Sequence, residues 1–136
     1  MSSPAAAEVC IAVLTVGDRL ALQLRDDKPG ISSPGHWGLF SGHLEAGEQP
    51  LEAMQREIYE ELRLRAEPRF LFDFREENEF HGGPVRVHAF HADVSEVWDG
   101  HELREGQRAE LVEPGDLTRH RPLAPLSAAV LERWIP

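Results

Sequence analysis

The stretch Gly42–Leu64, GHLEAGEQPLEAMQREIYEELRL, decides how the rest of the chain is read. It opens as a glycine-punctuated loop and turns into a helix. Pro50 suits the first helical turn, where its missing N–H is not needed. Leu51, Met54, Ile58 and Leu62 recur at spacings of three and four and predict one apolar stripe packed on a core. On the opposite face, Glu57, Glu60 and Glu61 stand three and four residues apart, so their carboxylates are expected to share one patch. Like charges so spaced cost ~0.2–0.5 kcal/mol per pair. The helix C-terminus disfavours negative charge further. A solvated acidic face is the ordinary reading of such a run. Three convergent oxygens also suit a hard divalent cation, which takes carboxylate and phosphate oxygens together.

The spacing of the whole segment resembles the Nudix box, G-x5-E-x7-R-E-U-x-E-E-x-G-U, with U a bulky aliphatic residue. Gly42, Glu48, Arg56, Glu57, Ile58, Glu60, Glu61 and Leu64 match, eight of nine fixed positions in a window of 23 residues. At the ninth, Arg63 stands where the family has glycine. That glycine usually ends the helix in a left-handed turn, which costs another residue roughly 1–2 kcal/mol. Either Arg63 accepts the strain, or the helix runs on toward Ala66 until Pro68 stops it.

A chain of 136 residues is expected to form one domain, 1–136, with residues 1–7 as a flexible tail. Its 41% apolar and 28% charged residues are those of a soluble globular protein. The net charge of −10 argues against a nucleic-acid polymer as partner. Nucleotides stay within reach, because bound Mg²⁺ inverts the local sign. Six of the 24 acidic residues fall between Glu45 and Glu61, with only Arg56 to answer them. The single cysteine, Cys10, lies in an apolar run and reads as a buried small hydrophobe. No apolar run approaches the ~18 residues that span a bilayer, and no basic leader opens the chain, so a cytoplasmic location without membrane contact is expected.

Glu8–Val16 (EVCIAVLTV) and Arg19–Leu24 (RLALQL), joined at Gly17-Asp18, read as a hairpin. Asp26–Gly35 is loop, a cover beside a site or a plain surface loop. His36–Phe40 (HWGLF) reads as a short strand delivering Ser41-Gly42. The corresponding family strand often reads W-x-L-P-G-G, so Phe40 and Ser41 replace its proline and first glycine. Arg69–Phe74 and Val85–Val94 are predicted strands with Glu76–Pro84 as their loop. His88 and His91, three apart, fall on opposite faces of a strand and read as ordinary strand histidines. Gly100–Gly106 is polar loop, Ala109–Val112 a last short strand before a Pro-Gly turn, and Ala124–Ile135 a packing helix on Leu126, Val130, Leu131 and Trp134. This mixture lacks βαβ regularity and gives an α+β fold or an α/β/α sandwich. The resemblance sharpens it to the Nudix fold, a mixed β-sheet between helices.

Hydrolysing a diphosphate linkage requires neutralised oxygens and a nucleophile at neutral pH, and divalent metals supply both. By the resemblance, Gly42 (through its carbonyl), Glu57, Glu60 and Glu61 hold Mg²⁺ or Mn²⁺, with Glu57 catalytic. Glu48 and Arg56 are implied as an ion pair that pins the loop to the helix and orients Glu57. Family members often recruit a further acid from a downstream loop. Of Glu102, Glu105 and Glu110, Glu105 stands in Glu105-Gly106-Gln107, similar to the EGQ loop of small nucleoside-triphosphate-hydrolysing members. It is the expected metal-associated acid or general base. Trp37 and Phe40 are candidates for stacking on a nucleobase and equally for the core. His43 is a candidate phosphate contact or an exposed loop residue.

The implied reaction is hydrolysis of a nucleoside diphosphate linked to another moiety, by a metal-activated water. Small size and the EGQ loop favour a nucleoside triphosphate or similar mononucleotide. A nucleotide sugar or a dinucleoside polyphosphate is the alternative. No proline stands fifteen residues past the box, as ADP-ribose hydrolases tend to show, and Phe80, sixteen past it, is a weak echo of a tyrosine in some dinucleoside polyphosphate hydrolases. A non-catalytic nucleotide-binding module would be expected to lose box carboxylates, and none is lost. A ligand sensor would need an appended DNA-binding module, for which 136 residues leave no room. A homodimer is compatible with the reading.

Overall fold

Val9 to Leu14 are apolar without a break and all buried, the pattern of a strand covered on both faces. That strand, β1 (Ala7–Val16), is the spine of the computed structural model, which describes residues 7–120 and 122–134. Cys10, Ala12 and Leu14 pack toward one helix, α1 (Pro50–Leu62), and Val9, Ile11 and Val13 toward the other, α2 (Pro125–Trp134). Ala7, expected in the tail, instead pairs with Val85 in β1; the rest of the expected tail lies outside the described residues.

The other strands are β2 (Arg19–Leu24), β3 (Trp37–Gly38), β4 (Phe40–His43), β5 (Arg69–Asn78), β6 (Gly83–Asp93) and β7 (Arg108–Val112). β1 runs parallel to β6 from Ala7↔Val85 to Thr15↔Asp93. It also pairs antiparallel with β4 through Val9–Ala12 and with β2 through Thr15 and Val16. The sheet has seven strands in the order β3-β2-β1-β6-β5, with β4 added on β1 and β7 on β2. A mixed sheet between two helices is the expected α+β architecture. The strand predicted over His36–Phe40 divides instead into β3 and β4 around Leu39. β5 continues to Asn78, so the loop predicted from Glu76 shrinks to a tight turn before β6. The expected Pro-Gly turn is a 3₁₀ stretch, Pro114–Arg119. Ile135, predicted in the last helix, lies outside the described residues.

α1 starts at Pro50 as predicted, with the Gln49 N–H donating to Glu52 Oε1 at 3.0 Å. Met54, Ile58 and Leu62 are fully buried, but Leu51 is 44% exposed, because Ala53 takes the buried position in the first turn. At the other end the first of the two alternatives holds. Arg63 adopts φ 56°, ψ 27° and donates its N–H to Tyr59 O at 2.8 Å. Its guanidinium lies 5.0 Å from the centre of the Tyr59 ring, which offsets part of the left-handed strain.

His88 and His91 do face opposite ways. The ring of His88 bonds Glu8 Oε1 (2.9 Å), and that of His91 bonds Thr15 Oγ1 (2.8 Å). Among the described residues no helix is long and apolar enough to cross a membrane.

Candidate active site

α1 lies so close over β4 that only glycine fits beneath it. A Cβ placed on Gly42 would stand 2.0 Å from Glu57 Cδ and 2.3 Å from its Oε1. The residue is thus required for steric reasons, to seat Glu57 at the sheet. Its carbonyl, expected as a metal ligand, faces β1 and accepts the Cys10 thiol at 3.6 Å. Burial and the nearby Glu57 charge push that thiol up to about 12.

The three box glutamates lie on one side of the helix but differ in burial, and the Glu60 charge acts on both Glu57 and Glu61. At 100° per residue, Glu61 stands about 40° from Glu57 around the helix, and Glu60 about 60° away on the other side. Glu61 consequently falls on the buried face with Met54 and Ile58, at 2% exposure. Glu60 is turned to solvent and does not line the cleft. Burial, then the charges of Glu57 and Glu105, raise the Glu61 carboxyl well above the usual range. Burial also raises Glu57, outweighing the neighbouring Arg56. Glu57, Glu61 and Glu105 line one cleft of about 410 Å³.

Arg56 ties this cluster to the loop before the helix. Its Nε and Nη2 donate to the two oxygens of Glu48 at 2.8 and 2.9 Å, and Nη2 also donates to the His43 carbonyl at 3.0 Å. Nη1 reaches Glu57 Oε1 at 2.8 Å and Glu60 Oε2 at 3.2 Å. The hydrogen bonds from Arg56 and from the Glu45 N–H hold the Glu48 carboxyl down at about 2. Glu48 and Arg56 thus hold Glu57 through its Oε1.

Glu105 arrives from far along the chain by backbone bonding. The N–H groups of Glu102 and Arg104 donate to the carbonyls of Leu62 and Glu61 at 2.9 and 2.8 Å, satisfying the end of α1. Gly106 then turns at φ +86°, and Gln107 docks on β2 through Leu24 O (2.7 Å) and Arg25 O (2.9 Å). The two other downstream candidates lie elsewhere. Glu102 pairs with Arg104, and Glu110 on β7 with Arg108 and His120.

Arg25, absent from the expected set, lines the same cleft. Ser32 holds it through its carbonyl (2.8 Å) and hydroxyl (3.3 Å), and its charge opposes the rise of Glu61. The only local signal was a cation at the end of β2. Trp37 and Phe40 are corrected to core residues. Phe40 has no exposed surface, and Trp37, 8% exposed, sits between His120 and Arg108 outside the cleft. His43 does line the cleft, bonded to His81 rather than free. Val9, Ile11 and Leu126 form an apolar stretch of its wall, on the α2 side of the sheet.

A glycine loop, an acidic helix face and a mixed sheet between two helices define a pyrophosphohydrolase class of α/β/α sandwich. The chain belongs to the Nudix family: the family profile described as NUDIX domain matches residues 4–134. Among solved structures it is similar to the MutT protein from Methanosarcina mazei Go1, with TM-score 0.79 and 19% identity over 97% of this chain and 95% of that one. The solution structure of the E. coli ORF135 protein matches with TM-score 0.73 and 23% identity, over 95% and 88%. The NUDIX domain of Shewanella oneidensis NrtR, complexed with ADP ribose, matches with TM-score 0.77 and 17% identity, over 96% and 87%. Comparison with curated proteins gave no match.

Proposed function

We propose that this Nudix hydrolase cleaves the diphosphate linkage of a nucleoside triphosphate or similar mononucleotide, with Mg²⁺ or Mn²⁺ held by Glu57, Glu61 and Glu105. The Glu61 carboxylate carries this reading. It is buried, its Oε2 has no hydrogen-bond partner among the described residues, and Glu57 and Glu105 add negative charge beside it. An uncompensated buried charge costs several kcal/mol, and a hard cation among three carboxylates is the partner that an all-oxygen set suits. Among the described residues no three such side chains already stand close enough to hold an ion. Arg56 supplies the counter-charge to Glu57.

When bound there, a divalent cation supplies charge neutralisation at phosphoryl oxygen and a more acidic water. The chain's own residues do the rest. Glu57 is seated by Gly42 and fixed by Arg56, and Glu61 closes the dry side of the cluster. Glu105, on an exposed turn, accepts the proton of the attacking water. As the water oxygen bonds phosphorus, the anhydride P–O bond breaks, and the triphosphate parts into nucleoside monophosphate and pyrophosphate. Arg25, anchored by Ser32, neutralises charge on that side of the cleft. A volume of about 410 Å³ lies near the small end of ligand pockets, ~300–1,000 Å³, and favours a mononucleotide over a dinucleoside polyphosphate.

Phosphate and pyrophosphate release is the test, measured over nucleoside triphosphates, nucleotide sugars and dinucleoside polyphosphates with Mg²⁺ or Mn²⁺. The expected result is turnover of nucleoside triphosphates that stops with excess chelator. Turnover that persists in chelator, or is confined to the larger substrates, overturns the proposal.

A further inference from the structure

The cleft is electrically divided. Glu57, Glu61 and Glu105 with Arg25 and Arg56 form one set of its lining, and the α2 side combines apolar wall with a chain of side-chain hydrogen bonds through His43, His81 and Asn78, the His43 carbonyl alone reaching back to Arg56. Asn78 Oδ1 meets both the backbone N–H of His81 (3.2 Å) and its ring Nδ1 (2.8 Å). A backbone N–H can only donate, so the carbonyl oxygen of the amide is fixed at that end and its NH₂ group points elsewhere. The same oxygen obliges His81 Nδ1 to carry a proton. In the neutral ring Nε2 is then bare, and it accepts from His43 Nε2 across 2.8 Å. His43 is left with Nδ1 as a bare acceptor. Partial burial and the neighbouring His43 disfavour a charged His81, in keeping with this proton order.

We propose that Asn78, His81 and His43 form a polarity-fixed reader of the substrate's nucleobase, with Asn78 Nδ2 as donor and His43 Nδ1 as acceptor. This rests on the mononucleotide reading above and extends it to the base. A neutral chain of this kind does not favour a second phosphate, which seeks cations. It suits a heterocycle with ring or keto acceptors and N–H donors, laid along the apolar wall. The register supports the placement: His43 and Ser41 oppose Val9 and Ile11, so their side chains share the α2 face of the sheet. His81 comes from the β5–β6 turn, 38 residues further on, and the two rings lie 5.0 Å apart. Nothing in the core needs that contact, which is exposed.

Asn78→Asp is the sharpest variant, because it keeps the oxygen that His81 uses and replaces the donor with an acceptor. The measurement is kcat/KM for the four ribonucleoside triphosphates with Mg²⁺, in wild type and variant. The expected result is that the ratio between best and worst base changes at least tenfold. Unchanged ratios in an active variant overturn the inference and leave the hydrolase reading standing. A second arm uses the unaltered protein without metal. The imidazole resonances of His43 and His81 are followed while each of the same four nucleotides is added. Base-dependent shifts are expected at both rings. Shifts at neither ring, or identical shifts for every base, overturn the reader even if Asn78→Asp fails to fold. Shifts with no wild-type turnover of any nucleotide would refute the hydrolase reading and keep the base site.

Discussion

The Glu57 carboxylate rests directly on the Cα of Gly42, with no room for a methyl group between them. Backbone on one side and an ion-paired carboxylate on the other leave no inexpensive relief. Gly42→Ala is expected to push Glu57 away from Glu61 and to lower kcat on the order of a hundredfold or more. Metal-free stability should fall as well, since α1 must lift from β4. An alanine variant with wild-type kcat would show that the seat of Glu57 is unimportant.

What was legible in the sequence rested on near-neighbour geometry. The helix start, the glycine loop and the Glu48–Arg56 pair all lie within one segment, where spacing alone constrains distance. The same locality hid how differently the box glutamates are buried. Spacings of three and four put all three on one side of the helix, but the 100° step turns Glu61 into the buried stripe and Glu60 to solvent. Arg25 follows β2, and Asn78 and His81 stand together at the β5–β6 turn, all far from the box in sequence, and no local pattern marks any of them. Trp37 and Phe40 show the opposite limit. Both sit beside the glycine loop in sequence, yet a strand turns alternate side chains to opposite faces and buries them.

Glu61 gives a prediction in which activity and stability move in opposite directions. Glu61→Gln removes a buried charge whose neighbours Glu57 and Glu105 repel it. The metal-free variant is expected to melt at or above the wild-type temperature at neutral pH. Saturating Mg²⁺ should raise the wild-type Tm by mass action and raise the variant's much less. Its kcat should fall about a thousandfold. A metal-free variant far less stable than wild type would mean that Glu61 is structural.

The Glu48–Arg56 pair carries a pH signature. The folded carboxyl lies at about 2 against an ordinary 4.5. A depressed folded value means that the native state binds fewer protons than the unfolded chain in that interval. Its stabilisation is therefore complete above 4.5 and is lost as pH falls toward 2. Glu48→Gln is expected to lower Tm at pH 7, with the gap to wild type closing between pH 4.5 and 2. A gap independent of pH over that range would show that the loop is held by the other contacts of Arg56.

Arg63 occupies a left-handed position, at the place where the box pattern has glycine. Release of roughly 1–2 kcal/mol of strain competes with the lost contact to Tyr59 and with the greater freedom of an unfolded glycine. The balance predicts that Arg63→Gly is stabilising by about 0.5 kcal/mol, or a Tm rise of about 2 °C. Arg63→Val, β-branched in the same conformation, should melt below wild type. Calorimetry of the two variants checks the order, and a valine variant as stable as the glycine one would remove strain from the account.

The last prediction separates the three downstream glutamates. Gly106 delivers Glu105 in a conformation no other residue would take easily. Its φ is +86°, and a Cβ there would stand 2.7 Å from Gln23 Oε1 and 2.9 Å from Leu24 O. The backbone bonds of Glu102 and Arg104 to the end of α1 bring this exposed turn beside the cluster, where the Glu105 charge raises both Glu57 and Glu61. Glu102 points to solvent beside Arg104, and Glu110 is held on β7 by Arg108 and His120. If Glu105 takes the proton of the attacking water, Glu105→Gln should lower kcat at least tenfold with little change in KM, because a base acts mainly in the transition state. Glu102→Gln and Glu110→Gln should stay near wild type. Gly106→Ala should resemble Glu105→Gln in kcat, since a shifted turn withdraws the same carboxylate. A silent Glu105→Gln beside a crippled Glu102→Gln would transfer the role three residues upstream. A loss confined to KM would leave Glu105 a binding group rather than a base.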